Sequence, residues 1–195
     1  MTLDRAAIKQ KAKAQLGNNL FGNLWLYAVL VEFIAGAIVG ITSSFVIGIL
    51  VIGPLSFGLS KLYLKLVREG AQMDVAGLFD GFSEDLGGNI ILGLLQALFI
   101  FLWSLLFIIP GIVKSYAYSM AFYIKADHPE YDWKQCLDES QRITKGHKME
   151  LFVLDLSFIG WMILASFTFG IGIFWLSPYM NTTKTNYYEA LKSEA

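Results

Sequence analysis

The stretch "LYAVLVEFIAGAIVGI", residues 26–41, is apolar along almost its whole length, and one carboxylate, Glu32, stands near its middle. An apolar block of roughly 20 residues matches the thickness of the hydrocarbon core of a bilayer. The stretch therefore predicts a helix that crosses a membrane. It also raises the question of why a charged side chain lies where its neighbours avoid water.

The composition of the whole chain points the same way. Of the 195 residues, 55% are hydrophobic and only 16% are charged, whereas a soluble domain carries about 25% charged residues. The apolar residues fall in long blocks separated by short polar segments. A soluble chain of this size could not bury so many apolar residues, because a small domain leaves much of its surface exposed to water. We therefore expect an integral membrane protein.

Six apolar blocks divide the chain. Helix is the expected form of each, because a backbone exposed to lipid must satisfy its own hydrogen bonds, and the blocks lack the alternation of a membrane barrel. The sequence thus predicts a single all-α membrane domain, a polytopic bundle of six transmembrane helices. The predicted spans are about 20–41, 44–66, 89–109, 111–126, 149–168 and 170–188.

Three of the breaks between blocks are short and uncharged. They are "GITSSF" at 40–45, "IIPGI" at 108–112 and "TFGIG" at 168–172, and each holds Gly, Pro or small polar residues. Such segments are typical of tight turns between antiparallel helices. The six spans are therefore expected to form three hairpins.

The remaining segments, 1–18, 67–88, 127–148 and the tail after 188, are long and charged. All of the 15 lysines and arginines except Lys114 fall in or beside them. Because basic residues are enriched on the cytoplasmic side of a membrane, both termini and both long loops are predicted to be cytoplasmic.

Two loop segments, 75–86 and 133–144, carry apolar residues at helical spacing. Each predicts a short amphipathic helix. Such a helix can lie in the membrane interface or pack on the cytoplasmic ends of the bundle, and the sequence leaves both arrangements open. Residues 1–18 predict a cationic cytoplasmic helix.

Four polar residues within the spans form a candidate intramembrane site: Glu32, Lys114, Asp155 and Asn181. A charge inside a bilayer costs about 2.5–3.5 kcal/mol on insertion scales, so Glu32 is expected to have a partner, and Lys114 is the candidate. The pair is either a structural contact or part of a proton or cation site. Asp155 likewise makes an interhelical hydrogen bond or serves such a site.

The last block is the most polar of the six. Pro178 is expected to break or kink its helix, and a run of polar residues, 181–186, follows. A polar, kinked helix can line a substrate cavity. Equally, the helix can leave the bilayer near Asn181 and continue in water, so both interpretations stay open.

Known catalytic motifs are missing from the sequence, including the phosphate-binding loop and the dinucleotide fingerprint. The single cysteine, Cys136, excludes an internal disulfide and a multi-cysteine metal site. We expect no enzyme, cofactor or metal, and the net charge of −1 gives no general attraction to nucleic acid. His147 and Lys148 stand in a basic junction and are candidates for contact with lipid phosphate.

Three strings carry a family resemblance: "IIPGIVKSYAYSMAFYIKADHPE" at 108–130, "SQRITKGHKMELFVLDLSFIGW" at 140–161 and "FGIGIFWLSPY" at 169–179. They resemble the uncharacterised bacterial integral membrane protein family known as domain of unknown function (DUF) 975. The resemblance implies a multi-span protein of the bacterial cytoplasmic (inner) membrane. It implies no activity, so it assigns no functional residue.

Two functions therefore compete. The favoured one is a membrane-organising or accessory protein, which uses its cytoplasmic-face helices to bind lipid, another membrane protein or a second copy of itself. The alternative is a small transporter or channel with an intramembrane polar site. The near-absence of outer loops argues against capture of an extracellular ligand.

Overall fold

The computed structural model describes residues 4–17, 20–42, 47–168 and 170–194, and the described chain is helical with no strand. The all-α prediction is confirmed for these residues. The α-helices are α1 Arg5–Leu16, α2 Asn23–Thr42, α3 Ile47–Glu69, α4 Asp80–Ser83, α5 Leu86–Leu106, α6 Ile108–Tyr118, α7 Ala121–Asp127, α8 Trp133–Ile143, α9 Lys148–Leu156, α10 Ile159–Ser166 and α11 Ile171–Glu194.

Four helical stretches of the described chain are long and apolar enough to cross a membrane. They are Asn23–Gly40, Leu50–Glu69, Leu86–Leu106 and Lys148–Ser166. This finding agrees with the predicted membrane protein. The six-span arrangement in three hairpins stays a prediction, because α6–α7 and α11 fall outside this set.

Two of the predicted spans are not single helices. The span 111–126 divides into α6 and α7 at Ser119–Met120, and the span 149–168 divides into α9 and α10 at Ser157–Phe158. At each break a serine hydroxyl donates to a backbone carbonyl three residues earlier, from Ser119 to Tyr116 and from Ser157 to Leu154. Such local bonds can compete with the regular helical ladder, although Ser115 makes the same kind of bond inside α6 without a break.

The helix in the last predicted span is longer than expected. The helix α11 runs without interruption from Ile171 to Glu194, so Pro178 does not break it. The other expectation, a kink at Pro178, stays a prediction. Its second half is buried although it is polar, with Thr182, Thr183 and Asn186 almost fully covered. The polar run therefore packs inside the protein and does not continue alone into water.

The turns of the expected hairpins are only partly described. Between α5 and α6 a single extended residue, Phe107, joins two packed helices, so this turn comes just before the predicted "IIPGI". Residues 43–46 of the first turn and residue 169 of the third lie outside the described part of the chain.

Both predicted loop helices exist, and both pack on the bundle. The segment 75–86 forms a 3₁₀ turn, Ala76–Phe79, followed by α4, and both contact α3. The helix α8 begins with a capping box between Asp132 and Gln135, and it buries Cys136, Leu137 and Ile143. The helix α1 packs along α11 and buries Ile8, Ala12 and Leu16.

The helix α3 is the centre of the bundle, since it contacts α2, α4, α5, α7 and α11. Glycines allow several of these contacts. A Cβ added at Gly53 would lie 2.2 Å from the backbone oxygen of Asn89, and one at Gly58 would lie 2.1 Å from that of Leu78. At these points backbone packs directly on backbone.

Candidate functional site

A polar cavity of about 230 Å³ lies among α3, α6, α7, α9 and α11. It is bordered by the break between α6 and α7, where Ser119 and Met120 contribute to its wall. Many of its lining residues carry polar side chains, although most of its lining surface is apolar. The lining residues with polar side chains are Ser56, Ser60, Tyr63, Tyr116, Ser119, Tyr123, Asp155, Asn181 and Lys184.

An ion pair stands in the wall of this cavity. The Nζ of Lys184 lies 3.2 Å from Oδ1 of Asp155, and the two side chains are 34% and 26% exposed. The hydroxyl of Tyr116 donates to Oδ2 of the same carboxylate at 3.1 Å. Both side chains are thus partly exposed, and within the described chain the carboxylate has this ion pair and this hydrogen bond as its partners.

The carboxylate Glu32 joins the cavity through two side chains that line it. Its Oε1 accepts a hydrogen bond from the hydroxyl of Tyr63 at 2.7 Å and another from the amide of Asn181. Tyr63 is 1% exposed. The sequence thus predicted correctly that Glu32 needs a partner, but hydroxyl and amide donors take that role.

The expected pairing of Glu32 with Lys114 is wrong. The ammonium of Lys114 donates to Oε1 of Gln141 at 2.8 Å. It also lies 5.1 Å from the ring centroid of Trp103 and 5.4 Å from that of Tyr118. Lys114 is therefore a bridge from α6 to α8, and it does not line the cavity.

Buried aromatic and hydroxyl groups form the wall beside α7 and α11. The rings of Tyr123 and Tyr188 stack with their centroids 5.3 Å apart. The hydroxyl of Thr185 lies 3.4 Å from that of Tyr123. This wall separates the cavity from a network of charges at the ends of α3, α7 and α11.

Asp127 is the centre of that charge network. It accepts from both terminal nitrogens of Arg68 at 2.7 and 2.8 Å, from Lys192 at 2.8 Å and from the hydroxyl of Tyr188 at 2.9 Å. Arg68 also donates to Glu189. Burial alone would raise the pKa of Asp127, but these donors outweigh it and lower the pKa to about 2.

The candidate lipid-phosphate contacts, His147 and Lys148, do not both lie in a basic environment. The Nδ1 of His147 lies 3.3 Å from Glu150, and its Nε2 lies 3.7 Å from Glu194. Two carboxylates beside the ring disfavour an approaching phosphate. Lys148 begins α9 and is half-buried, and its contact with lipid phosphate stays a prediction.

Sequence reasoning found Asp155 and Asn181 but missed Lys184, Tyr63 and Tyr116. One signal was present: Ser177, Asn181 and Lys184 recur at intervals of four and three, so they share one face of a helix. The tyrosines gave no comparable signal, because membrane spans commonly place tyrosine near the interface. Among the described residues no cluster of His, Cys, Asp or Glu can hold a metal ion.

The comparisons with known proteins support the family resemblance. Residues 107–195 match the model of a family described as a protein of unknown function, DUF975, so the predicted resemblance is confirmed over this part of the chain. The match covers α6 to α11 and hence Tyr116, Asp155, Asn181 and Lys184 of the cavity. No curated protein and no solved structure matches the chain.

Proposed function

We propose that this protein is a small membrane transporter or channel, and that the polar cavity is its binding site. The observation that carries the proposal is the Asp155–Lys184 pair in the wall of a cavity within an apolar bundle. Ionisable groups inside membrane spans are costly, and they typically mark the paths of ions and substrates.

The interrupted helices support the same proposal. Transport proteins typically build their sites from discontinuous membrane helices, whose unwound backbone is stable only beside a cavity or protein. The break at Ser119–Met120 borders the cavity, and Asp155 lies two residues before the break between α9 and α10. Both interruptions thus occur next to polar groups.

The size and charges of the cavity limit its occupant. Pockets for drug-sized ligands measure about 300–1,000 Å³, and this cavity measures about 230 Å³. It suits a hydrated ion or a small polar solute. A solute with one positive and one negative group would complement Asp155 and Lys184 best, because it replaces their mutual contact with two new ones.

We place the protein in a bacterial cytoplasmic membrane with six spans and both termini inside. The basic residues in and beside the loops support this arrangement. In this arrangement the Asp127 network lies at the cytoplasmic face, between the cavity and the cytoplasm.

A membrane-organising or accessory role is the second candidate. Its support is that the predicted loop helices are ordered and expose polar faces, as α8 does with Lys134 and Asp138. However, the apolar face of α8 is buried in the bundle, so it is not available to a partner. We therefore rank this role below transport. A photo-reactive amino acid at Lys134 tests it: a crosslinked partner or second copy is expected, with Lys11 as the control position.

Water access to the cavity is the first requirement for transport. Burial raises the pKa of Cys136 to about 11, so we expect the native cysteine not to react with thiol reagents. Ser119→Cys, in the cavity wall, should react with a membrane-impermeant thiol reagent. Leu98→Cys, on the exposed apolar face of α5, should not react. A Ser119→Cys protein that stays unlabelled from both sides would exclude a water-filled path.

Transport itself is tested in proteoliposomes. Charge movement is recorded after concentration jumps of protons, sodium, potassium and small zwitterionic amino acids. We expect at least one of these to give a current above that of empty liposomes, and Asp155→Asn and Lys184→Met to abolish it. A chain that is folded and labelled at Ser119→Cys but silent for the whole panel would contradict the proposal.

A further inference from the structure

A second hollow, separate from the polar cavity, runs along the outside of α10 and α11. It measures about 440 Å³ and is mostly apolar. We call it the lateral groove, and it is lined among others by Lys13, Trp25, Trp161, Leu164, Trp175 and Leu176. Trp161 and Leu164 are 59% and 65% exposed, so the groove opens to the side of the bundle.

The tryptophans present mainly their rings to this groove. The indole nitrogen of Trp25 donates to the carbonyl of Gly17 at 2.7 Å, and that of Trp175 donates to the carbonyl of Leu20 at 3.1 Å. Their polar atoms are therefore satisfied by backbone. What remains is an apolar wall on the outside of the bundle, which an acyl chain fits.

Positive charge stands at one end of the groove. Arg5, Lys9 and Lys13 recur every four residues and so share one face of α1. Lys13 lines the groove, and Arg5 and Lys9 line an adjacent hollow together with Asp4, Glu150 and Ser157.

The acidic residues of that hollow are already engaged. Asp4 caps α1 by accepting from the backbone of Ala6 and Ala7, and Glu150 accepts from the hydroxyl of Tyr187 at 2.7 Å. Lys9 donates to the hydroxyl of Ser157 at 2.8 Å. Among the described residues, neither Lys9 nor Lys13 has a carboxylate within salt-bridge distance.

We infer that the lateral groove binds an anionic phospholipid, with the phosphate at Lys9 and Lys13 and an acyl chain along Trp161, Leu164 and Trp175. Charge complementarity selects this occupant, since a cationic end and an apolar slot match the two parts of such a lipid. The inference moves the lipid-phosphate contact from His147 and Lys148 to α1. It is independent of the solute site.

The lining tryptophans report the occupant directly. The purified protein is placed in nanodiscs of phosphatidylcholine that contain a small fraction of phosphatidylglycerol with brominated acyl chains, which quench tryptophan fluorescence on contact. Brominated phosphatidylglycerol should quench more strongly than the same fraction of brominated phosphatidylcholine. Each lysine near a lipid surface contributes about 1 kcal/mol, so Lys9→Gln and Lys13→Gln should each weaken the selective binding roughly fivefold.

The matched control is Lys11→Gln, which removes the same charge from the opposite, exposed face of α1 and should keep the selectivity. Equal quenching by both brominated lipids would overturn the inference. So would an equal loss in Lys11→Gln, because the effect would then be diffuse charge. Soluble glycerol phosphate should not reduce the quenching; if it does, the site takes a free phosphate and not a lipid.

Discussion

Glu32 keeps its place inside the bundle through hydrogen bonds. A carboxylate withdrawn from water can be held by a cation or by donors that replace its water. Glu32 is half-buried, and the hydroxyl of Tyr63 and the amide of Asn181 are its donors. The contacts join α2, α3 and α11, three helices that are distant in sequence. Glu32 thus fixes how these helices pack and also lies directly behind the cavity wall.

Removal of one donor should therefore weaken the fold. Tyr63→Phe keeps the ring and deletes the hydroxyl, so we expect a loss of roughly 1.5–3 kcal/mol, the range for a hydrogen bond to a charged group. Glu32→Gln should cost less, because an amide oxygen still accepts. Thermal unfolding in detergent measures both, with the exposed Tyr27→Phe as control. A Tyr63→Phe protein as stable as Tyr27→Phe would contradict this role.

The effect of Glu32→Gln on transport separates structure from coupling. If Glu32 carries a proton during transport, the variant should lose any proton-driven current, since an amide does not titrate. If Glu32 only holds the helices, the current should persist at nearly the same size. The proteoliposome assay decides between these outcomes.

Asp127 is a second residue whose contacts should stabilise the fold. Its side chain is 6% exposed and joins Arg68, Lys192 and Tyr188. Asp127→Asn removes the charge and leaves Arg68 and Lys192 less well compensated, so at neutral pH we expect a loss of about 1.5–3 kcal/mol. Glu69→Gln, an exposed carboxylate beside the network, is the control and should change the unfolding temperature little.

The stability that Asp127→Asn loses should depend on pH in a defined direction. The pKa of Asp127 is about 2 in the folded protein against 3.8 normally. A carboxyl whose pKa is lower in the folded than in the unfolded protein stabilises the fold at a pH above its unfolded pKa. This stabilisation is lost as the pH falls to the folded pKa. The difference between wild type and Asp127→Asn should therefore be full at pH 7 and shrink from about pH 4 towards pH 2. A difference that stays constant over this range would contradict the assignment.

Close helix packing occurs at glycines that the apolar pattern did not single out. Gly36 and Gly40 form a G-x-x-x-G motif in α2, which suggests close packing. A Cβ at Gly36 nevertheless meets nothing within 4 Å among the described residues. The close approach occurs at Gly53 and Gly58 of α3 instead.

This contrast gives a matched pair of substitutions. Gly53→Ala places a methyl group 2.2 Å from a backbone oxygen, so α3 and α5 must separate, and overpacking of this kind costs about 1–3 kcal/mol. Gly36→Ala meets no such obstacle and should be neutral or slightly stabilising, because Ala is the better helix former. Thermal unfolding of the two variants checks the prediction, and equal stabilities would show that α3 and α5 are not packed this closely.

The helices could be predicted from the sequence, whereas their breaks and their contacts could not. The apolar blocks predicted helices, because a backbone in lipid must make its hydrogen bonds within the protein. The structure contains these helices. The breaks at Ser119–Met120 and Ser157–Phe158 fall inside continuous apolar blocks, so the blocks gave no sign of them. The partner of Glu32 and the contact between Asp155 and Lys184 are set by packing between distant segments, which no spacing within one helix reveals.

Charged side chains connect the ends of four helices at one end of the bundle. Arg68 at the end of α3, Asp127 at the end of α7 and Lys192 near the end of α11 meet in one network. Nearby on α7, the buried ammonium of Lys125 lies 2.7 Å from Asp85, which precedes α5. Three helix ends and one helix start thus gather at the same end of the bundle.

That convergence leads to a prediction about topology. In a membrane, an end of the bundle that carries these networks is expected to face water on the cytoplasmic side. Ser83→Cys and Asp138→Cys, both exposed beside this end, should then share one side. Phe107→Cys, in the turn between α5 and α6 and 71% exposed, should lie on the opposite side.

The measurement uses intact cells and a thiol reagent that does not cross membranes, with the native Cys136 unreactive because it is buried. Phe107→Cys should be labelled directly, whereas Ser83→Cys and Asp138→Cys should be labelled only after the cells are opened. Labelling of Ser83→Cys and Asp138→Cys from different sides would break the arrangement in hairpins. The cavity would then have no defined entrance from the cytoplasm, although the contacts between Asp155 and Lys184 would be unchanged, so transport would need a different path.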